Sequence, residues 1–348
     1  MLAVMVVLSA CAGADRLGLD SAGGDLPQNS LDPGGPAAQK IDNLWWMVFW
    51  IATVIFVLVQ GALIFAVLRF RRRKGEDRQV KQVHGNTRFE IMWTIIPVVL
   101  LAAVAIPTLA TLFDLRRAPD PSENALQIEV TGHQWWWEFY YPDYGITTAN
   151  EMHIPAGRTV YLTMTSADVI HSFWVPRLAG KRDLVPGRIS NMKFQADEPG
   201  VFFGQCAEFC GLAHADMRQR VFAETEEDFA AWAAAQAQPA VIPTEGAAAA
   251  GWDTFQLVCA SCHTIDGTSA VGRLAPDLTH FASRTTFGGA TFANTRDHLA
   301  EWLADPSALK PMRPEYNDLE AGRIMGMPNL GLTPDEIDGL IALLETLK

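Results

Sequence analysis

Cysteine is scarce in this chain: five residues in 348, too thin a supply for a disulfide-built scaffold. The compact Cys and His spacing of a zinc finger is absent. Basic residues are outnumbered, 27 against 39 acidic, giving a net charge of -12, and no basic and aromatic stripe interrupts that balance. Nucleic-acid binding is thereby excluded. The first apolar run, from Met1 to the residues before Asp15, falls short of the roughly 20 apolar residues that a membrane span needs.

Long hydrophobic runs are present further on, and with 11 Trp they lift the mean hydropathy to +0.09. Residues 44–70 and 91–115 are almost free of charge, so each predicts a transmembrane helix across a hydrocarbon core about 30 Å thick. Pro97 and Pro107 in the second are tolerable in lipid. Between the spans, residues 71–90 carry most of a basic set comprising Arg69, Arg71, Arg72, Arg73, Lys74, Arg78, Lys81 and Arg88. The positive-inside rule assigns that loop to the cytoplasm and both chain ends, including residues 12–43, to the outer face. The outer domains are then more acidic than the whole chain, which suits either the steering of a basic redox partner or a simple solvated acidic surface.

The densest chemistry lies in Cys206-Ala-Glu208-Phe-Cys210-Gly-Leu-Ala-His214-Ala-Asp-Met217, two thiols, an imidazole and a thioether within twelve residues. His171 can add a second imidazole if the fold brings its loop alongside. A Cys2His2 set also suits structural zinc. Met217 is a poor zinc ligand, and a second thiolate exceeds what one blue copper ion uses, so the set favours two copper ions bridged by both cysteines. Cys259 and Cys262 belong to Cys-Ala-Ser-Cys-His263, the covalent haem c attachment signature, in which the thiols bond the porphyrin and the histidine binds iron.

From Leu126 the chain reads as short alternating strands, at 126–131, 159–164, 188–194 and 219–224, which predict a β-sandwich over residues 119–230. Residues 231–246, rich in Ala, Gln and Pro and without hydrophobic period, read as a linker. The remaining residues, 247–348, have the length of one domain. Helical patterns fall at 252–258, 296–304 and 333–347, where Thr333 can cap and Pro334 suits the first turn.

The set His171, Cys206, Glu208, Cys210, His214 and Met217 resembles the dinuclear CuA centre of cytochrome c oxidase subunit II. That resemblance implies a cupredoxin-like sandwich with its ligands on loops at one end. Both cysteines would bridge the coppers, each histidine would bind one, and Met217 and the Glu208 carbonyl would fill weak axial positions. It further implies that the Glu208 carboxylate binds a magnesium ion shared with subunit I. Electrons would come in at Trp135, first of the Trp135-Trp136-Trp137 run, and Glu90, just before the second helix, would lie near the mouth of a proton pathway. The aromatic run on its own reads as packing.

The C-terminal part resembles an all-α class I cytochrome c domain, and the fusion resembles caa3-type oxidases. Among Met312, Met325 and Met327, the resemblance selects Met327, which precedes Pro328, as the sixth iron ligand, and gives the Pro276 carbonyl to the ring N–H of His263. Leu8-Ser-Ala-Cys11 resembles a lipoprotein signal (residues 1–11) that would leave Cys11 lipidated, although it lacks a basic n-region.

The implied function is that of subunit II of a respiratory oxidase in a bacterial cell membrane, partnered by subunits I and III. A cytochrome c-type donor, with a cytochrome bc complex as one candidate, would reduce the single haem c. Electrons would pass to CuA and on to haem in subunit I, where oxygen is reduced to water with proton translocation. A CuA-bearing nitric oxide reductase subunit and a copper-delivery lipoprotein are the alternatives; a quinol oxidase subunit would lack the copper ligands.

Overall fold

The computed structural model describes residues 28–71, 75, 82, 84–312 and 326–348. Cys11, the five basic residues Arg72, Arg73, Lys74, Arg78 and Lys81, and Met325 lie outside the described residues.

Two apolar helices form one unit over residues 39–117. Helix α1 (Pro36–Phe70) and helix α2 (Thr87–Arg116) are both long and apolar enough to cross a membrane. At 35 residues, α1 spans about 50 Å at 1.5 Å per residue, so it starts eight residues ahead of the expected position 44. Helix α2 begins at Thr87 because the side chain of Asn86 accepts the N–H of Arg88 at 3.1 Å. Glu90 therefore lies inside the first turn, a correction to its expected place ahead of the helix. Lys40 of α1 and Asp114 of α2 form an ion pair at 2.5 Å.

The second unit holds residues up to Ala38 and from Ala118 onward. Ten strands build two five-stranded sheets: β1 (Leu126–His133), β2 (Trp136–Tyr141), β3 (Ile146–Ala149), β4 (Glu151–Pro155), β5 (Val160–Ser166), β6 (His171–Trp174), β7 (Arg182–Leu184), β8 (Ser190–Phe194), β9 (Gly200–Cys206) and β10 (Arg218–Glu224). Their orders are β3-β2-β1-β5-β8 and β4-β10-β9-β6-β7. Burial alternates along β5 and β10, as period-2 side chains on half-covered sheets require. Ile128, Val130, Leu162, Met164, Met152, Ile154 and Phe173 are fully or almost fully buried. Ahead of the sandwich, Asp32 pairs with Arg177 at 2.7 Å, and Gly34 donates to the Arg177 carbonyl.

Helix α3 (Glu226–Gln236) follows β10, capped by Thr225. It takes in residues 231–236, the first part of the expected linker. The stretch lacks a hydrophobic period because only Phe229 and Ala233 are buried, yet Trp232 stacks on His153 at 4.4 Å and lies 5.3 Å from Tyr141. The irregular connection is residues 237–245. It is tied down in turn, since Ala240 donates to the Asp266 carbonyl at 3.1 Å and a His280 ring nitrogen lies 2.9 Å from the Gln238 carbonyl.

Among the described residues, the C-terminal domain contains α4 (Gly246–Val258), a two-stranded ribbon β11 (Thr286–Phe287) and β12 (Phe292–Ala293), α5 (Arg296–Ala304), α6 (Pro306–Leu309) and α7 (Pro334–Leu344). Thr333 and Glu336 form a full capping box at the start of α7. Helices α4 and α7 touch at Gly251, where a Cβ would lie 1.9 Å from the Gly339 carbonyl oxygen. That contact seats Phe255, Leu340, Ile341 and Leu344 in one core with Ile265 and Leu299.

Candidate metal centre and haem cavity

Strand pairing brings distant sulfur and nitrogen donors together. Phe173 pairs with Cys206 across β6 and β9, which carries His171, two residues earlier, to the end of β9. His171 is the first residue of β6, paired with Leu184 of β7. This corrects its expected loop position; the preceding loop instead contributes Asp168.

The Cys206 and Cys210 sulfurs are 3.8 Å apart. His171 Nδ1 lies 3.9 Å from the Cys206 sulfur, and His214 Nδ1 3.5 Å from that of Cys210. The Glu208 carbonyl approaches Cys206 Sγ at 3.2 Å, and Met217 Sδ approaches Cys210 Sγ at 3.8 Å. Each cysteine thus has one histidine and one weaker donor beside it. The Glu208 side chain is exposed, whereas Met217 and His171 are fully buried.

Asp168 Oδ1 lies 2.7 Å from His171 Nε2. The carboxylate fixes a proton on Nε2 and leaves the Nδ1 lone pair facing the sulfurs, as metal-binding imidazoles require. Burial works to lower the His171 pKa, but hydrogen bonds to Asp168 and Cys206 outweigh it and the net shift is upward. The two thiols share a proton: their mutual hydrogen bond pulls Cys206 down and pushes Cys210 up. A soft cation held between them would displace that remaining proton. This donor set fits copper.

Gln134 and Trp135 form the tip of the β1–β2 hairpin, where His133 pairs with Trp136. Both tip side chains reach the copper loop: Gln134 Nε2 and Trp135 Nε1 donate to the Cys210 carbonyl at 2.7 and 3.0 Å. Trp135 is buried and also lines a cavity of about 750 Å³ together with Cys262, His263, Pro276 and Met327. Such a volume lies in the range of small-molecule and cofactor sites.

His263 Nδ1 lies 2.7 Å from the Pro276 carbonyl, which leaves Nε2 free for iron. Burial lowers the His263 pKa, with the Pro276 bond opposing. Cys259 caps the end of α4 and Cys262 follows by one turn; neither is in a disulfide. Trp302 Nε1 donates to Met327 Sδ at 3.2 Å. Met312 also lines the cavity, its side chain filling the space beside Gly326. The arrangement fits a covalently attached haem.

Family comparisons agree in all three parts. Residues 28–111 match the model "Cytochrome C oxidase subunit II, transmembrane domain", residues 145–223 its "periplasmic domain", and residues 248–348 "Cytochrome c". A cytochrome c oxidase subunit 2 of Alkalihalophilus pseudofirmus is 37% identical over 98% of this chain and 94% of its own. The chain belongs to the cytochrome c oxidase subunit II family. The corresponding protein of Bacillus sp. strain PS3 is 36% identical over 80% of each chain. A quinol oxidase subunit 2 of Bacillus spizizenii is 34% identical over 67% of this chain and 69% of its own.

As a subunit II with a fused cytochrome c domain, the protein is a membrane-anchored component of a haem–copper oxidase, with a periplasmic domain of the type that carries CuA and a haem c domain after it. Sequence reasoning missed Asp168, Gln134, Glu151 and Lys310. The carboxylate three residues before His171 was a readable signal for Asp168. The other three act through contacts that only folding creates.

Proposed function

We propose that this chain carries electrons one at a time from an external cytochrome c-type donor through its haem c cavity to the copper centre, and onward to subunit I for oxygen reduction coupled to proton translocation. A bound haem and a dinuclear copper pair would supply outer-sphere redox chemistry. The chain's own residues do the holding. Cys259 and Cys262 anchor the porphyrin, and His263 and Met327 face its iron. Cys206, Cys210, His171 and His214 would hold the copper, with Met217 and the Glu208 carbonyl as weaker donors beside them.

The observation that carries this reading is the position of Trp135. It lines the cavity that holds His263, and its indole N–H meets the carbonyl of copper-loop Cys210 at 3.0 Å. Cavity and copper loop are therefore joined through one aromatic side chain, which supports the assignment of Trp135 as the point where electrons reach copper.

The finer assignments follow from the same reading. The basic segment linking α1 to α2 faces the cytoplasm, and the exposed Glu208 carboxylate is available for a magnesium ion shared with subunit I. Glu90 marks the mouth of a proton path, subunit III completes the complex, and Cys11 carries lipid. Metal analysis with copper EPR on the purified oxidase tests the core of it. Two coppers per haem c iron in this subunit, sharing one unpaired electron, is the expected result. One localised copper, or zinc, defeats it, as does an unchanged copper signal in Cys206→Ser.

A further inference from the structure

Lys310 is 3% exposed, and its ammonium donates to three backbone carbonyls: Trp135 at 2.8 Å, Asp216 at 2.9 Å and Gly288 at 2.9 Å. Three N–H groups meet three acceptors, which satisfies the ammonium form completely. Burial pushes its pKa down to about 7, with the Asp216 charge opposing. A buried charge without a paired carboxylate persists only where hydrogen bonds replace its hydration, and charge-assisted bonds are the stronger kind.

The three acceptors come from both domains. Trp135 and Asp216 belong to the sandwich, the latter next to Met217, while Gly288 belongs to the haem domain. Backbone packs closely around the cluster. Gly289 has φ +82, and a Cβ there would stand 2.3 Å from the Asp216 oxygen and 2.6 Å from Lys310 Nζ. Arg218 N donates to the Gly289 carbonyl at 2.9 Å, and Thr291 Oγ1 to that of Asp216 at 3.1 Å.

A separate anchor joins the domains elsewhere. Glu151 of β4, 1% exposed, accepts from the Thr285 amide at 3.0 Å and from the Thr285 and Thr286 hydroxyls. Gln236 reaches Ser283 at 3.1 Å. Interdomain attachment thus has support that touches neither Trp135 nor the copper loop.

The geometry points to Lys310 as a positioning residue for electron transfer, its ammonium fixing the Trp135 backbone and the residue before Met217 to the haem domain so that the indole stays between haem cavity and copper loop. This rests on the electron route proposed above. Trp135 is held at both ends, by its indole N–H on Cys210 and by its carbonyl on Lys310.

The test uses the complete purified oxidase carrying Lys310→Met, Lys310→Gln or Glu151→Gln. One electron is injected into haem c by laser flash and its arrival at copper is timed, with haem content, copper EPR and protease protection of residues 237–245 measured alongside. Lys310→Met should slow transfer about tenfold or more, as expected when reacting centres lose their alignment, while both centres and the protection are retained. Lys310→Gln, keeping two N–H donors, should fall between. A wild-type rate in Lys310→Met overturns the proposal. So does an equal slowing in Glu151→Gln and Lys310→Met that follows loss of protection, because general domain attachment would then explain both. A wild-type oxidase without CuA or haem c signals would instead sink the underlying route.

Discussion

The indole N–H of Trp135 and the backbone carbonyl of Cys210 meet at 3.0 Å, so the haem cavity wall and the copper loop are bonded neighbours. The same carbonyl also accepts from Gln134 at 2.7 Å. Two donors on one oxygen orient the peptide that follows the Cys210 side chain. The contact therefore acts both as a strut for the loop and as a link between the two sites.

Replacing Trp135 with Phe separates those roles. Gln134 still satisfies the carbonyl, so loss of one hydrogen bond should cost about 1 kcal/mol of stability and leave copper and haem content unchanged. Flash-initiated transfer from haem c to copper should slow markedly in the same variant. An unaltered rate would take Trp135 out of the route and leave it a packing residue.

Asp168 bears on copper retention. It holds His171 in the tautomer that offers Nδ1 to the sulfurs, and loss of such a partner typically weakens metal binding by about 10- to 100-fold. Asp168→Ala should release copper to a chelator well before the wild type does, and Asp168→Asn, which retains an acceptor, less so. Equal retention by all three would assign Asp168 to loop structure alone.

The ligand motifs were legible in the sequence because chemistry, not fold, selects them: few residue types bind copper or haem iron, and Cys206–Met217 and Cys259–His263 hold them at short spacing. The spans of α1 and α2 were legible for the same local reason, a long apolar run. Helix α3 was not, since an Ala-rich segment with two buried positions carries no periodic signal. His171 read as a loop residue because its strand consists of four residues and depends on pairing with β7 and β9. Lys310 and Glu151 look like any surface charge in one dimension. Their burial exists only because two separately recognisable domains pack together.

The methionine assignment can be tested by absorption and potentiometry. Met327→Leu should keep haem covalently attached through Cys259 and Cys262 but lower its potential, because thioether ligation raises it. Met312→Leu, which alters the packing beside Gly326, should leave the axial field intact, as should Met325→Leu. A lowered potential in either of those and not in Met327→Leu would move the ligand.

His133 gives the sandwich a signature in acid. It stacks on Trp136 at 4.2 Å with planes 7° apart, and burial lowers its pKa to about 4, with Asp168 opposing. The unfolded chain restores a value near 6.5. Between those limits the unfolded state binds a proton that the folded state refuses, so stability rises with pH. His133 thus adds no penalty above about 6.5 and costs increasingly more as pH falls toward 4. His133→Phe preserves the ring against Trp136 and removes the titration. Thermal midpoints of the intact oxidase, followed from pH 7 to 4.5, should fall less steeply in the variant than in the wild type. Parallel curves would mean that His133 protonates in the folded protein and that solvent reaches its ring.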